Sequence, residues 1–279
     1  MKQVKVVLAE NKLHPIKGLG QNFLFDHNVI KKVAHVTSIK GKNVIEIGTG
    51  LGHLTKQLVA EAKKVVSVEI DKKLVPYLNE EFKDVANLTI INYDFLKLDL
   101  ISLIEKEFDW NEEIVVVANL PYYLTSPIIL KLLEHEHVQL FSAFVLMMQK
   151  EVAQRLNAEV STKEYNNLSI MCQFYCQVRI MFDVKPGSFY PAPKVTSSVV
   201  LFQVRENIKL EDEQQFWAFV RSCFAQKRKT LINNLIAYLP KEAATAIIVE
   251  LNWPLTIRAE NLTFKMFRQL FLILKGKIG

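Results

Sequence analysis

The chain has 279 residues, half of them hydrophobic, so it is long enough for one large and one small domain with buried cores. Its apolar runs are too short to span a bilayer, residues 1–15 lack a signal peptide's apolar stretch, and three cysteines without zinc-like spacing indicate core thiols in a reducing cytoplasm. The net charge of +6 divides into +4 over residues 1–32, −3 over 33–195 and +5 over 196–279, as expected if basic ends contact a polyanion; an ordinary solvated surface is the alternative.

Residues 1–205 predict alternating strands and helices. Asp26 is placed to cap a helix that completes a basic N-terminal segment over residues 1–36. The predicted strands are β-branched or apolar runs at residues 44–47, 65–70, 88–93, 114–118 and 143–148. Segments of helical length separate these runs, which predicts an α/β domain with a parallel sheet. Apolar runs at 168–184 and 199–204 lack a helical crossover and predict a terminal antiparallel hairpin.

The periodicity changes from residue 206 onward. Apolar residues recur there at helical spacing: Phe216, Val220 and Phe224; Leu231, Leu235 and Leu239; and Phe267, Leu270, Phe271 and Leu274. Residues 206–279 are therefore predicted to form a small all-helical domain.

A glycine-rich turn, Gly48-Thr49-Gly50-Leu51-Gly52, follows the first predicted strand of the sheet. Such a turn between strand and helix lets a ligand approach the backbone, although nicotinamide and flavin proteins use similar turns. The G-x-G-x-G spacing differs from the dinucleotide G-x-G-x-x-G pattern. We assign Gly48 and Gly50 to a cofactor pocket.

Acidic residues end the next two strands. Glu69 is placed to accept hydrogen bonds from both hydroxyls of a ribose, and Asp94 from an adenine amino group, while Phe95 could pack on the ring. We add Ile70, next to Glu69, to the same pocket. Singly, each acidic residue is better explained as a helix cap or a solvated loop residue. Together they favour an adenosine cofactor, S-adenosyl-L-methionine ahead of NAD.

Asn119-Leu120-Pro121-Tyr122 follows a buried strand and is the candidate catalytic segment. An amine on an aromatic base is a poor nucleophile because its lone pair is delocalised. The Asn119 side-chain oxygen and the Leu120 carbonyl could draw it toward tetrahedral geometry, while Pro121 fixes the backbone. Tyr122 could stack on the base and face the cation that forms.

A base must leave a duplex, or be presented in a loop, to reach such a pocket. Phe189, in a loop stiffened by Pro191 and Pro193, is the candidate second aromatic wall. The alternative is that Phe189 fills the core beneath that loop.

Seven motifs in order carry a family resemblance that runs nearly end to end. They are residues 20–24 (GQNFL), 46–52 (EIGTGLG), 119–122 (NLPY), 146–152 (LMMQKEV), 189–195 (FYPAPKV), 228–231 (RKTL) and 258–262 (RAENL). The chain resembles the bacterial ribosomal RNA small-subunit methyltransferase A family, the 16S rRNA adenine dimethyltransferases.

This resemblance implies a class I, Rossmann-like, S-adenosylmethionine-dependent methyltransferase fold with a helical C-terminal domain. It implies N6,N6-dimethylation of two adjacent adenosines in the last hairpin loop of 16S rRNA, within a precursor of the small ribosomal subunit. The family's cofactor contacts fall on Asn22, Leu24, Gly48, Glu69, Asp94 and Asn119. The expected enzyme is cytoplasmic and monomeric, and uses no metal or membrane.

The RNA contacts that we expect are Lys194, Lys227, Arg228 and Lys229. The alternative for the last three is a solvated helix start. Three positions depart from the family pattern: Thr49 replaces proline, Tyr123 replaces asparagine and Lys227 replaces arginine. Tyr123 leaves the shape of the target pocket open. Two other functions remain: a resistance-type methyltransferase of large-subunit rRNA, and a non-catalytic assembly factor.

Overall fold

The computed structural model describes residues 2–206 and 209–276, which form two compact units. The first unit comprises the chain up to Ala153 together with Cys176–Glu206, and the second comprises Gln154–Tyr175 together with the described residues from 209 onward. The division after Glu206 lies next to the boundary expected from sequence. The transfer of Gln154–Tyr175 to the second unit was not expected.

Strands and helices alternate along the first unit, and the second unit is helical. The strands are β1 Phe23–Leu24, β2 Asn43–Ile47, β3 Lys64–Glu69, β4 Leu88–Asn92, β5 Ile114–Asn119, β6 Ala143–Gln149, β7 Cys176–Val184, β8 Phe189–Tyr190 and β9 Ser197–Val204. The helices are α1 Lys2–Glu10, α2 His27–Ala34, α3 His53–Val59, α4 Val75–Glu81, α5 Leu100–Glu107, α6 Thr125–Leu132, α7 His135–Val138, α8 Lys150–Leu156, α9 Asn167–Tyr175, α10 Glu213–Cys223, α11 Leu231–Leu235, α12 Lys241–Glu250 and α13 Phe264–Leu274. Within the described ranges, none of these helices is long and apolar enough to cross a membrane.

Seven strands form one mixed sheet in the order β4-β3-β2-β5-β6-β9-β7. Strands β2 to β6 are mutually parallel, and β9 runs antiparallel to both β6 and β7. The α/β fold expected from sequence is confirmed. Because the chain order reverses between β2 and β5, the crevice at their carboxyl ends is the place where such sheets bind ligands.

The hydrophobic core explains why the central strands are almost wholly apolar. Helices cover both faces of a parallel sheet, so alternation with polar residues is lost. Val44, Val65, Val115 and Val145 from four neighbouring strands belong to one buried cluster. This rigid layer holds the loops that follow each strand.

The N-terminal segment is tied to the first unit at two places. In α1, Val4 and Leu8 are buried in a cluster that also contains Phe23 and Leu51. Strand β1 pairs with β8, with Leu24 opposite Phe189. The sequence predicted neither α1 nor this two-stranded sheet. The pairing places residues 20–24 directly beside the glycine-rich turn.

The predicted antiparallel hairpin at the end of the sheet is confirmed in β7 and β9, but its first strand was placed too early. Residues 167–175 form helix α9 instead. The Asn166 side chain accepts hydrogen bonds from the backbone N–H groups of Leu168 and Ser169, at 2.9 and 3.2 Å, and so caps the helix. The capping residue decided the local structure, and the apolar run alone did not reveal it.

The second unit is built around aromatic side chains. Phe174 of α9 stacks on Phe264 of α13 with ring centroids 4.4 Å apart, and both contact Trp217 of α10. The Trp217 indole donates a 3.1 Å hydrogen bond to the buried Tyr175 hydroxyl, which in turn donates to Glu213. Residues 154–175 therefore supply part of the helical unit's core.

Replacing Gly52 with alanine should lower the free energy of unfolding by about 2 kcal/mol. Gly52 has φ +76°, and an added Cβ would lie 2.5 Å from the buried ring of Phe82. Urea unfolding of matched variants separates the cost of the positive φ from the cost of the clash with Phe82. Gly41→Ala has a similar φ of +71° but open space, so it should cost less, and Gly18→Ala, also in open space, should cost least. Equal losses in all three variants would contradict this explanation.

Candidate active site

A pocket lies at the carboxyl ends of β2, β3 and β5, where the crevice was expected. The predicted residues that line it are Asn22, Leu24, Gly48, Gly50, Glu69, Ile70, Asn119, Leu120, Pro121 and Tyr122. Three segments thus meet: the N-terminal segment, the glycine-rich turn and the catalytic candidate segment. Each belongs to the first unit.

The glycine-rich turn has the backbone geometry that its composition predicts. Gly48, Gly50 and Gly52 all have positive φ, at +81°, +57° and +76°. A Cβ on Gly50 would approach the Phe23 ring to 3.3 Å. Side chains at these positions would strain the turn, so glycine occupies them. Without side chains, the turn exposes its backbone to the pocket.

Buried hydroxyls and a carboxyl group support the turn from below. Glu46 Oε2 accepts hydrogen bonds from Ser67 at 2.6 Å and Thr55 at 2.7 Å. Since the Ser67 hydroxyl hydrogen goes to Glu46, Thr49 must donate in its 2.6 Å bond to Ser67. Thr49, which departs from the family pattern, thus links the turn to Glu46.

Glu46 should make stability depend on pH. Burial raises its pKa from 4.5 to about 7, and its Oε1 has no hydrogen-bond partner among the described residues. A carboxyl whose pKa is higher in the folded state binds its proton more tightly there. Its contribution to the free energy of unfolding is therefore complete below pH 4.5 and declines as pH rises through 7. Urea unfolding from pH 4.5 to 8 should show this decline, and Glu46→Gln should reduce it. An identical pH profile for the two proteins would contradict the assignment.

Glu69 ends β3 with both carboxylate oxygens directed by backbone groups. Oε2 accepts from Gly50 N at 2.8 Å and Oε1 from Asp71 N at 2.9 Å. Burial raises the pKa of Glu69, although these two bonds oppose the shift. The carboxylate oxygens, each with a further lone pair, line the pocket where a ribose is expected.

Asp94 and Phe95, which follow β4, do not line this pocket, and their contacts with adenine stay a prediction. Asp94 caps a short 3₁₀ turn, with Oδ1 accepting from Leu96 N at 3.0 Å, which is the helix-cap alternative. Phe95 is buried, with the Lys131 ammonium 6.0 Å from its ring centroid, so it offers no open face. Ile70, which is 44% exposed and lines the pocket, provides the accessible apolar surface instead.

Asn119 ends β5 with its side-chain amide held in one orientation. Its Nδ2 donates a 3.1 Å hydrogen bond to the backbone carbonyl of Asn22. Because the nitrogen is bound to the N-terminal segment, Oδ1 remains as the acceptor on the other side of the amide. The Leu120 side chain is buried and its N–H donates to Met147 O at 3.0 Å, which fixes the segment on β6.

Tyr122 lines the pocket and is anchored at its hydroxyl. The hydroxyl lies 3.0 Å from Ser197 Oγ at the start of β9, and partial burial raises the pKa of the phenol. Tyr122 thus stays neutral, and it lines the same pocket as Asn119. Its role as an aromatic wall stays a prediction.

Phe189 lies in the core beneath its loop, which is the alternative to a role as an aromatic wall. It is 3% exposed and belongs to the buried cluster of the first unit that includes Leu24. Pairing of β8 with β1 draws its backbone inward. Its burial and its absence from the pocket lining favour the core alternative in this conformation, and its contact with a target base stays a prediction.

Gln21 has a structural role that the sequence did not suggest. Its Oε1 accepts from Ile16 N at 2.8 Å, and its Nε2 donates to Asp71 Oδ2 at 2.8 Å. The side chain therefore ties the N-terminal segment to the end of β3, next to Glu69. The only signal was a polar residue inside the resemblance motif at residues 20–24.

The expected RNA contacts differ in availability. Lys194, Arg228 and Lys229 are exposed. Lys227 instead donates to the backbone carbonyls of Lys163 and, at 3.0 Å, Tyr165. Those bonds occupy two of its three ammonium hydrogens, so Lys227 has less capacity for a phosphate contact than its two neighbours, and that contact stays a prediction.

The pocket fits an adenosine cofactor on its own geometry. Gly48 and Gly50 leave the backbone accessible, Glu69 places acceptors at the end of β3, and Ile70 exposes an apolar surface next to them. In the described part of the chain, no group of three or more histidine, cysteine or acidic side chains is arranged to hold a metal ion.

Comparison with known proteins identifies similar sequences over most of the chain. A family model described as ribosomal RNA adenine dimethylase matches residues 14–274. The ribosomal RNA small subunit methyltransferase A of Lactococcus lactis subsp. lactis is 44% identical over 270 residues, covering 95% of this chain and 91% of that protein. The protein of the same name from Bacillus pumilus is 46% identical over 239 residues, covering 84% and 80%.

Solved structures show the same fold. A dimethyladenosine transferase from Plasmodium falciparum has a TM-score of 0.76 and 29% identity, covering 91% of this chain and 98% of that one. The 23S rRNA methyltransferase ErmE has a TM-score of 0.66 and 24% identity, covering 91% and 100%, which is similarity of fold alone.

Proposed function

The chain belongs to the ribosomal RNA adenine dimethylase family, and from this premise we propose that it dimethylates N6 of two adjacent adenosines in the 3′-terminal hairpin loop of 16S rRNA. Its methyl donor is S-adenosyl-L-methionine. The names of the relatives support the small-subunit substrate. The observation that carries the chemistry is the Asn119 amide, oriented by Asn22 beside the cofactor pocket.

The residues around Asn119 suit an exocyclic amine. Asn119 Oδ1 and the Leu120 carbonyl would accept its two N–H hydrogens, which localises the lone pair on nitrogen. Tyr122 would hold the base and face the developing positive charge. When bound, S-adenosylmethionine supplies an electrophilic methyl group. A proton then passes from the methylated nitrogen to water, so no dedicated base is needed.

Primer extension tests the choice of RNA. Incubated with S-adenosylmethionine, the enzyme should produce stops at two adjacent adenosines of the last hairpin in 16S rRNA, and none in large-subunit rRNA. Stops in large-subunit rRNA alone would favour the resistance-type alternative.

We infer that the natural substrate is a precursor small subunit, and that the enzyme acts during subunit assembly in the cytoplasm as a monomer. The basic ends of the chain, +4 and +5, support contact with a large RNA surface. Comparing methylation rates on naked 16S rRNA and on undermethylated small subunits tests this inference. A faster reaction on naked RNA would contradict it.

Arg228→Ala should weaken RNA binding and flatten its salt dependence, lowering the slope of log K against log[salt] by about 1. The exposed guanidinium is available to a phosphate. Filter binding at several salt concentrations measures the slope. Lys227→Ala is the matched comparison, because its ammonium binds carbonyls within the helical unit. It should lower stability and change the slope less, and the reverse pattern would show that the roles are assigned wrongly.

A further inference from the structure

Tyr123 has no role in the chemistry described so far. It follows Tyr122 in the 3₁₀ turn Tyr122–Leu124, yet it is absent from the pocket lining and 54% exposed. Single exposed aromatic side chains are common on protein surfaces. A ring that binds a ligand differs from these in being held in place and in lying near groups that the ligand recognises.

The Tyr123 ring packs against Gly20. A Cβ built on Gly20 would lie 3.3 Å from both Cδ1 and Cε1 of Tyr123, and 3.5 Å from Cβ of Pro121. The ring edge thus rests on a backbone with φ +61° that carries no side chain, while 54% of the residue's surface stays exposed. A ring held in this way loses little conformational freedom when a ligand stacks on it.

Two exposed lysines lie close in sequence to residues that contact this part of the chain. Lys17 is three residues before Gly20, whose N–H donates to Lys17 O at 2.9 Å. Lys194 is three residues before Ser197, which binds the Tyr122 hydroxyl at 3.0 Å. Proteins bind single-stranded nucleic acids by combining aromatic rings, which stack on bases, with cations, which contact phosphates.

We propose that Tyr123 is a stacking platform for the nucleobase adjacent to the adenine in the pocket; the proposal rests on the function proposed above. A base that leaves its stack exposes a face of its neighbour. Tyr122 lines the pocket and Tyr123 lies just outside it, so consecutive rings can hold consecutive bases. With two adjacent target adenosines, one can occupy the platform while the other is methylated.

Binding of undermethylated small subunits, with S-adenosylhomocysteine present, tests the platform. Tyr123→Leu should weaken binding about tenfold, the order expected for one lost base–aromatic stack. Tyr123→Phe should bind within about twofold of wild type, since the ring is retained. The salt slope should stay unchanged, because no phosphate contact is lost. Trp110→Leu removes a ring of similar exposure, 53%. Trp110 precedes β5 and so lies at the amino ends of the strands, away from the pocket, and its loss should have no effect on binding.

Three outcomes would overturn the platform. Wild-type affinity in Tyr123→Leu would show that the ring does not stack. A loss of S-adenosylhomocysteine affinity of the same size would show that Tyr123 acts through Gly20 on the cofactor pocket. Equal losses in the Phe and Leu variants would assign the effect to the hydroxyl. If wild-type protein binds the particle but transfers no methyl group, the proposed function fails while the Leu-to-wild-type affinity ratio still decides the platform.

Discussion

Replacing Asn119 with alanine should lower the rate of methyl transfer by about 100- to 1,000-fold, the loss found when a preorganised hydrogen-bonding group is removed from a reacting centre. The variant lacks the Oδ1 acceptor that would localise the amine lone pair. It also lacks the Nδ2 bond to the Asn22 carbonyl that fixes the amide. Initial rates with labelled S-adenosylmethionine and undermethylated small subunits measure the effect.

The control for this variant is an amide side chain at the amino ends of the parallel strands, opposite the pocket. Asn111 is exposed and precedes β5, so Asn111→Ala should keep the full rate. RNA affinity of Asn119→Ala should stay close to wild type, which separates chemistry from binding. If methylation survived in Asn119→Ala, the assigned mechanism would be wrong. If wild type itself bound subunits without methylating them, the non-catalytic assembly factor would be the better interpretation.

Replacing Glu69 with alanine should weaken S-adenosylhomocysteine binding by at least about 100-fold. Hydrogen bonds to a charged group contribute roughly 1.5–3 kcal/mol each, and two ribose hydroxyls are expected to donate to this carboxylate. The change also removes the acceptor for Gly50 N and Asp71 N, which shape the pocket. Isothermal titration calorimetry measures the affinity.

Stability must be followed alongside this affinity, because Glu69 is buried. Urea unfolding of Glu69→Ala shows whether a loss of binding reflects a loss of folded protein. Glu80→Ala is the matched control, since the exposed Glu80 pairs only at the surface with Lys83. Unchanged affinity in folded Glu69→Ala would remove Glu69 from the cofactor site.

Local patterns predicted the parts of the fold that local physics determines. Short β-branched runs such as residues 114–118 formed buried parallel strands because few other environments accept so much apolar surface. The glycines at 48, 50 and 52 required positive φ and have it. A strand-end position likewise placed Glu69 and Asn119 at one edge of the sheet.

Features that depend on distant partners could not be predicted in the same way. Phe189 has the same local sequence whether it faces a base or the core, and pairing of β8 with β1 across 165 residues decided its burial. Asp94 Oδ1 caps a 3₁₀ turn, which the sequence offered as the alternative to an adenine contact. Lys227 is one of three consecutive basic residues, and only the fold brings the Lys163 and Tyr165 carbonyls to it.

Bonds between distant residues also define the site itself. The Asn119 amide is oriented by Asn22, 97 residues earlier in the chain, and Tyr122 is anchored by Ser197, 75 residues later. The motif at residues 119–122 contains the side chains that we propose to act on the base, and other parts of the chain supply their orientation. We therefore expect mutations at Asn22 or Ser197 to act on methyl transfer through Asn119 and Tyr122.

Mass spectrometry of the 3′-terminal hairpin of 16S rRNA tests the central claim most directly. Undermethylated small subunits are incubated with S-adenosylmethionine and either wild-type protein or Asn119→Ala, and the hairpin fragment is then isolated. The expected result is two adjacent N6,N6-dimethyladenosines with wild type and an almost unmodified fragment with the variant. A hairpin without dimethyladenosine after wild-type treatment, or equal modification by both proteins, would contradict the account.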